Sequence, residues 1–446
     1  MKKIASLFFL VIALVANSQN AKQSYSFSLE QAISHALTNN YQAINANRDI
    51  ESAKQKKWET TASGLPQINA GLDYQNNFVI QKSVVPAEFF GGNPGEFAEV
   101  AFGTKHNMIA RGTLSQLIFD GSYIVALQAS KTYLKYYQNA KQKTDLEIRE
   151  MVVNAYGNVL LAQESIAILE KNKASLSKTL FDTQQIFNNG LIEEENVEQL
   201  QITLASINSN LNNIKRLALI SNNMLKIALG INLGDELKLT DQLDALTINN
   251  LDLAISESTF NVQDNIYFKM ASNFEEQRAL ELKLAKSKAL PSLAANVNFG
   301  YNAFGDQFEF FTPNQRWLNY SNLGVSLNVP IFSSLGRSAK TQQAKIAFEQ
   351  AKTQLTETEQ KLKLQYESSK SDYEFSIEEY ATSKSNLNLA ERIEKKQQIK
   401  FKEGLSSSFD FSEAQRQLYT AQQNYLQSMV NIINKKAALE KIINKN

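Results

Sequence analysis

The sequence predicts a mainly α chain with membrane β, built as two structural repeats of long α-hairpins. Three observations carry this. Ser321–Phe332 alternates Leu323, Val325, Leu327, Val329 and Ile331 with Asn322, Gly324, Ser326, Asn328 and Pro330. Successive strand side chains point to opposite faces, so this stretch has one oily face and one wet face. From Gly121 to Phe187 the pattern turns helical for 67 residues, with no proline and one internal glycine, Gly157. Landmarks then recur at near-constant offset: Pro66 and Pro291 are 225 residues apart, Phe119 and Phe332 213, Gly190 and Gly404 214. Recurrence in the same order marks a duplicated unit.

Composition narrows the function classes. The 446 residues carry 46 basic and 45 acidic side chains, which leaves no electrostatic footprint for nucleic acid. Cysteine is absent, and the two histidines, His35 and His106, are far apart. Disulfide frameworks, thiol nucleophiles and Cys-ligated zinc are excluded, and a His-rich metal site is not expected. With no Gly-rich phosphate loop either, the chain is not expected to be an enzyme or to need a cofactor. His106 is expected to be a solvated loop residue.

Lys2 and Lys3, the apolar run Ile4–Val15 and the small residues Ala16–Ser18 predict a secretory signal over 1–18, cleaved near Ser18–Gln19. The run is shorter than the ~20 apolar residues of a spanning helix. No cysteine follows it to carry a lipid. No later stretch has about 18 consecutive apolar residues, so any membrane crossing must use strands. Residues 19–446 are then one protomer, with repeat one at about 28–245 and repeat two at about 255–446.

Taken in order, Ser28–Ser63 reads as one helix, with Ser28 as N-cap and a stripe of Leu29, Ala32, Ile33, Ala36 and Leu37. Gly64-Leu65-Pro66 ends it. Ile68, Ala70, Leu72 and Tyr74 alternate with polar residues and glycine as a second two-faced strand. A loop over Gln81–Asn107 leads to a third, where Ala110, Gly112 and Leu114 oppose Arg111, Thr113 and Ser115 but Gln116 interrupts the oily face. After the long helix, which at 1.5 Å per residue is roughly 100 Å, Asn188-Asn189-Gly190 turns the chain into a return helix over Asn196–Leu229. Gly230–Asp241 breaks that helix. The second repeat gives a helix over Asn261–Leu290, a strand with Leu293, Ala295, Val297, Phe299 and Tyr301 on one face, and a loop over Asn302–Trp317. The opening strand follows, then a helix from about Gly336 to Phe401, a turn at Gly404-Leu405 and a helix from Phe411 to about Ile443.

Tyr366, Tyr373, Tyr380 and Leu387 recur every seven residues, the seam of a helix that winds around neighbours. Helices alone would fit a soluble coiled-coil hairpin; four two-faced strands shift the balance to a membrane. Four strands cannot close a barrel, open edges are not tolerated in lipid, and the smallest usual barrels have about eight strands. The chain must therefore oligomerise, to eight strands as a dimer or twelve as a trimer, and the strand count does not choose between them.

The opening SLEQAISHALTNNYQ, the strand entries GLPQINAGLDY and ALPSLAANVNFGY, the strand VSLNVPIF, the segment LKIALGINLGDEL and the turns FNNGLIEEENVEQLQ and FKEGLSSSFDFSEAQRQLYTAQ together resemble the TolC family of outer-membrane efflux and secretion channels. The resemblance covers nearly all of the mature chain. It implies a homotrimer in the cell outer membrane that extends into the periplasm. Its long α-hairpins would form a trimeric α-barrel, and its strands, four per chain, a shared 12-stranded transmembrane β-barrel. A mixed belt from Gly230–Leu253 and the C-terminal end would surround the tunnel.

The implied function is a channel-tunnel component of a tripartite efflux pump, passively conducting small molecules with a periplasmic adaptor and an inner-membrane transporter. The alternatives are the exit duct of a type I protein secretion system or, in a different class, a soluble periplasmic adaptor. The family's pattern places pore-constriction residues at Asp410 and Glu413, with Phe401 as a gating aromatic. The periplasmic tip turns would be Gly190-Leu191 and Gly404-Leu405. Outer-membrane lipid would meet Leu72, Tyr74, Val297, Phe299, Leu323, Val325, Leu327 and Val329. Two departures stand out: Asn196 occupies the first-repeat position equivalent to Asp410, and Ser406 stands where a basic latch residue is common. On local grounds Asp410 is expected as a helix N-cap, with Glu413 as its capping-box partner.

Overall fold

The computed structural model describes residues 22–255 and 260–444; the signal expected over 1–18 lies outside them. In chain order the described elements are β1 (Ser24–Phe27), α1 (Leu29–Asn39), α2 (Tyr41–Ala62), β2 (Gln67–Asn76), β3 (Lys82–Pro86), β4 (Phe97–Ala101), β5 (His106–Asp120), α3 (Gly121–Asn188) and α4 (Glu194–Leu229). They continue with β6 (Glu236–Leu239), α5 (Leu243–Asn249), α6 (Ile266–Ser287), β7 (Ser292–Gly305), β8 (Trp317–Asn328), α7 (Gly336–Lys402) and α8 (Ser408–Ile442). The order helix, two strands of one sheet, long helix, return helix thus occurs twice, with β3 and β4 inserted between the two strands of the first repeat. The described residues divide into two compact units that cut across this order: 22–50, 137–255, 260–271 and 355–444 form one, and 51–136 with 272–354 form the other.

The first unit holds the main core. Ala32, Ile33 and Ala36 of α1, Val152 and Tyr156 of α3, Leu225 and Leu229 of α4, Tyr366 and Tyr373 of α7, and Met429, Val430 and Ile433 of α8 are buried together. Tyr366, Tyr373 and Tyr380 are all buried on the heptad seam, and Leu387, one heptad on, is half-buried. One 18-residue window of α3 is apolar enough to cross a bilayer by composition, yet half of it is buried in the fold, as in a core helix.

The expected single helix Ser28–Ser63 is two. Ser28 caps α1 in a capping box with Gln31, but the chain leaves the helix at Asn40, where φ is −61° and ψ 139°. The Asn40 amide donates to the Ala228 carbonyl at 2.7 Å, and its oxygen accepts from Gln42 N at 2.7 Å. The break is fixed by the end of α4, where Gly230 has φ +75° and a Cβ would collide with the Asn39 carbonyl oxygen. Short elements in this unit carry no strong local pattern: β1 pairs in parallel with β6, from Ser24↔Glu236 to Phe27↔Leu239, and α5 packs beside α8.

The second unit is organised on an antiparallel sheet of order β2-β5-β7-β8. β8 starts at Trp317 and stops at Asn328, four residues early at each end relative to Ser321–Phe332. Its partner β7 begins at Ser292, opposite Asn328, and Pro330 has no N–H to offer a ladder. Val329, expected as a strand residue, therefore lies just beyond the strand. The expected loop Gln81–Asn107 contains the antiparallel pair β3–β4. The expected helix Asn261–Leu290 is a 3-10 turn at Val262–Asp264 followed by α6.

Candidate functional site

The sheet has two chemically distinct faces, and the register sorts them. Leu72, Ala110 and Tyr301 stand opposite one another along one row; Ala70, Gly112 and Phe299 along the next; Ile68, Leu114, Val297 and Leu323 along the next; then Ala295 with Val325 and Leu293 with Leu327. The Phe299 ring lies over Gly112, where a Cβ would meet it at 2.5 Å. Gln116 falls on this oily face, opposite Ala295, and its amide donates to the carbonyls of Gly64 and Leu117 at 2.9 and 2.7 Å. A one-residue irregularity between Leu117 and Phe119 returns Phe119 to the oily face, opposite Leu293.

The other face is an amide ladder. Asn69, Thr113, Asn298 and Asn322 share one row. The Thr113 hydroxyl donates to Asn298 at 2.8 Å, and the Asn298 amide donates to Asn322 at 3.0 Å. Arg111 pairs with Asp73 at 3.2 Å, so the charges on this face compensate. Among the described residues, β2 and β8 each have a strand partner on one side only.

Of the residues expected at lipid, Leu72, Val297, Phe299, Leu323, Val325 and Leu327 share the oily face; Val329 lies past it. Tyr74 shares the face at its rim. There the Tyr74 hydroxyl and His106 Nδ1 lie 2.8 Å apart, and Phe308 meets the Tyr74 ring edge-on at 5.2 Å between centroids. His106 is a rim residue with a partner rather than merely solvated.

The other candidate group lies in the first unit, at the ends of the long helices. The two turns are built alike. Gly190 N donates to Phe187 O and Leu191 N to Ile186 O; Gly404 N donates to Phe401 O and Leu405 N to Lys400 O. This is the Schellman pattern, which needs a left-handed residue after the helix, and Gly190 and Gly404 have φ +73° and +71°. Leu191 and Leu405 are exposed. Between the turns lies a cavity of about 600 Å³ lined by residues including Thr183, Ile192, Phe401, Leu405 and Asp410. Asn196 Oδ1 accepts from Ser408 N at 3.3 Å, so the residue standing in for a second acid ties one turn to the other.

Asp410 is not the N-cap of α8. Ser407 is, with φ −78° and ψ 160°, and Asp410 is the third residue of its capping box. The reason is backbone conformation: the extended residue caps, and the helix has already started at Ser408. Hydrogen bonds from Ser407 hold the Asp410 carboxyl below its ordinary value. Glu413 is not the box partner either; it takes two hydrogen bonds from Arg416, at 2.9 and 2.6 Å, which with Gln417 lower its pKa. Phe401 does not stand free. It stacks on buried Phe411, 5.4 Å between centroids and 8° between planes, beside Leu169, Leu176, Leu200 and Ile207.

One residue of this region was missed from the sequence. Glu394 stands seven residues after Leu387 and seven before Phe401, on the seam between α7 and α8, and accepts a hydrogen bond from the Gln415 amide. Burial raises its pKa, with Gln415 and Lys402 pulling the other way. The heptad count was the available signal, obscured because the position is charged.

Residues 270–445 match the family model described as outer membrane efflux protein. The outer membrane protein TolC of Vibrio cholerae is 22% identical over 363 residues, spanning 78% of this chain and 74% of that protein. CusC, described as forming a transmembrane channel, superposes with a TM-score of 0.75 at 16% identity, covering 96% of this chain and 95% of that one. The Campylobacter jejuni CmeC outer membrane channel gives 0.72 at 16% identity over 96% and 90%. At these identities the two solved structures share the fold.

Proposed function

We propose that the chain is an outer membrane efflux protein, as the family-model match over residues 270–445 and the shared fold of the TolC-like channels suggest, and that three copies form an efflux duct through the outer membrane. The observation that carries this is a four-stranded sheet with an oily face, an amide face and, among the described residues, two edges without a partner. Free edges in lipid cost several kcal/mol per unpaired backbone group. Three sheets joined β2 to β8 would close one barrel with no edge left. Leu72, Val297, Phe299, Leu323, Val325 and Leu327 would then meet lipid, with Tyr74 at the outer interface and Val329 at the far end. The Asn298–Asn322 ladder would line the lumen.

The long helices would continue the duct into the periplasm. Conduction in this reading is passive: the chain supplies a path and no chemistry. The tip turns, with Leu191 and Leu405 exposed, suit the apolar tip of a periplasmic adaptor that links the duct to an inner-membrane transporter. Asp410 supplies the charge at the constriction, because Glu413 is offset by Arg416. Phe401 acts there through its stack on Phe411, fixing the distance between α7 and α8.

The test is assembly and conductance. Mature protein purified in detergent should cross-link as a trimer and insert into planar bilayers as stepwise channels. A lone monomer in plain buffer, with no uptake into vesicles, would overturn the proposal.

A further inference from the structure

The segment joining β2 to β5 exposes an apolar surface that the duct does not use. β3 and β4 pair from Lys82↔Ala101 to Pro86↔Phe97, and a 3-10 turn at Ala87–Phe90 follows β3. Phe78 is 90% exposed, Phe89 80% and Phe97 73%; Val79, Phe90 and Phe102 are exposed as well. Large apolar side chains exposed in such number within one short segment point to a binding face rather than a solvated one.

Two observations favour lipid as the occupant. The first is continuity. The oily sheet face ends at Tyr74, packed edge-on by Phe308, and Phe78 and Val79 follow directly after β2 ends at Asn76. Aromatic residues at the edge of an oily band form the interfacial girdle of membrane barrels. The second is composition. Residues 77–105 contain five phenylalanines and no Trp, Tyr or Arg. Trp and Tyr, with their polar handles, mark both protein hot spots and the polar side of membrane belts, so a segment with phenylalanine alone suits the acyl side of that boundary. Phenylalanine has no such handle and gains by leaving water. The charges on the exposed strand face, Lys82 and Glu99, are paired at 3.2 Å, an arrangement that headgroup depth accommodates.

We propose that the β3–β4 hairpin is an interfacial wing that lies against the outer leaflet beside the barrel and seats Phe89, Phe90 and Phe97 at the boundary between headgroups and acyl chains. Its role is to fix the depth and tilt of the barrel in the membrane. The inference rests on the oily sheet face being the lipid face.

The chain has no cysteine, so Phe90→Cys and Phe97→Cys each carry a single nitroxide label. The mature protein is reconstituted in phosphatidylcholine vesicles, and collision of the label with oxygen, which partitions into lipid, is compared with collision with a water-soluble nickel chelate. A label at Val325→Cys on the sheet serves as the control. The expected result is an oxygen-to-nickel ratio several-fold above that of free label at both hairpin sites. A ratio equal to free label places the hairpin in solvent and overturns the proposal. Low collision with both reagents, together with spin–spin broadening, shows that copies cover one another and also overturns it. A nickel-dominated Val325→Cys control removes the lipid face itself, and the wing with it.

Discussion

Glu394 of α7 accepts a hydrogen bond from the Gln415 side chain of α8, one heptad from the stack of Phe401 on Phe411. A carboxyl here is at odds with the seam. Burial raises its pKa above the ordinary 4.5, so the folded chain holds that proton more tightly than the unfolded one. Stability then falls as pH rises from the ordinary carboxyl value through the raised one. Glu394→Gln keeps an amide partner for Gln415 and removes the titration. Melting temperatures measured across that range should decline less with pH in the variant than in the wild type. Parallel curves would show that the seam does not sense this proton.

Two acids that look alike in the sequence differ at the start of α8. Asp410 has no ion-pair partner among the described residues, whereas Glu413 and Arg416 form a neutral pair at 2.6 Å. In the proposed trimer, a ring of Asp410 carboxylates would favour cations. Asp410→Asn should therefore lower the cation-to-anion permeability ratio in planar bilayers, while the joint change Glu413→Gln with Arg416→Gln should leave it near wild type. Because Ser407 lowers the Asp410 pKa from 3.8, the preference should survive acidification to the ordinary carboxylate range and be lost only below it. If the double variant shifts selectivity and Asp410→Asn does not, the pore lining is assigned to the wrong residues.

Much of the fold was legible because the long elements are defined by what they lack. α3 and α7 contain no proline, and the turns at Gly190 and Gly404 carry a glycine that a left-handed backbone requires. The sheet faces were legible from alternation alone. The failures have long-range causes. The break at Asn40 depends on the Ala228 carbonyl 188 residues away, with no glycine or proline to announce it. The end of β8 depends on where β7 begins; alternation through Ile331 continues regardless. At the start of α8, resemblance supplied Asp410 and Glu413, but only three-dimensional contacts reveal that Arg416 neutralises one of them and that Ser407 is the cap.

Adjacent residues on opposite sheet faces control for one another. Val325 is on the oily face opposite Ala295, and Ser326 is its neighbour on the amide face, opposite Ala294. Arginine facing lipid near the midplane costs ~2–4 kcal/mol, and less toward the interface. Val325→Arg should lower the yield of heat-modifiable trimer and the folding free energy in vesicles by that order. Ser326→Arg should assemble normally and alter conductance instead. Equal loss in both variants would mean that both faces are packed against protein.

Two glycines with nearly the same backbone separate conformational cost from steric cost. Gly190 has φ +73° with nothing within 4 Å of where a Cβ would sit, whereas Gly230 has φ +75° and the Asn39 carbonyl oxygen in the way of a Cβ. Gly190→Ala therefore meets only the left-handed penalty, ~1 kcal/mol. Gly230→Ala must also push apart the α1–α2 junction and the end of α4, and with them the Asn40 amide bond to Ala228. Lost bonds of a buried amide cost ~1–3 kcal/mol, so this variant should be destabilised well beyond the first in denaturant titrations. Asn40→Ala should reproduce much of that loss without touching the glycine. A Gly230→Ala variant no less stable than Gly190→Ala would show that the junction yields freely, and the core around Ala36 and Leu229 would not depend on it.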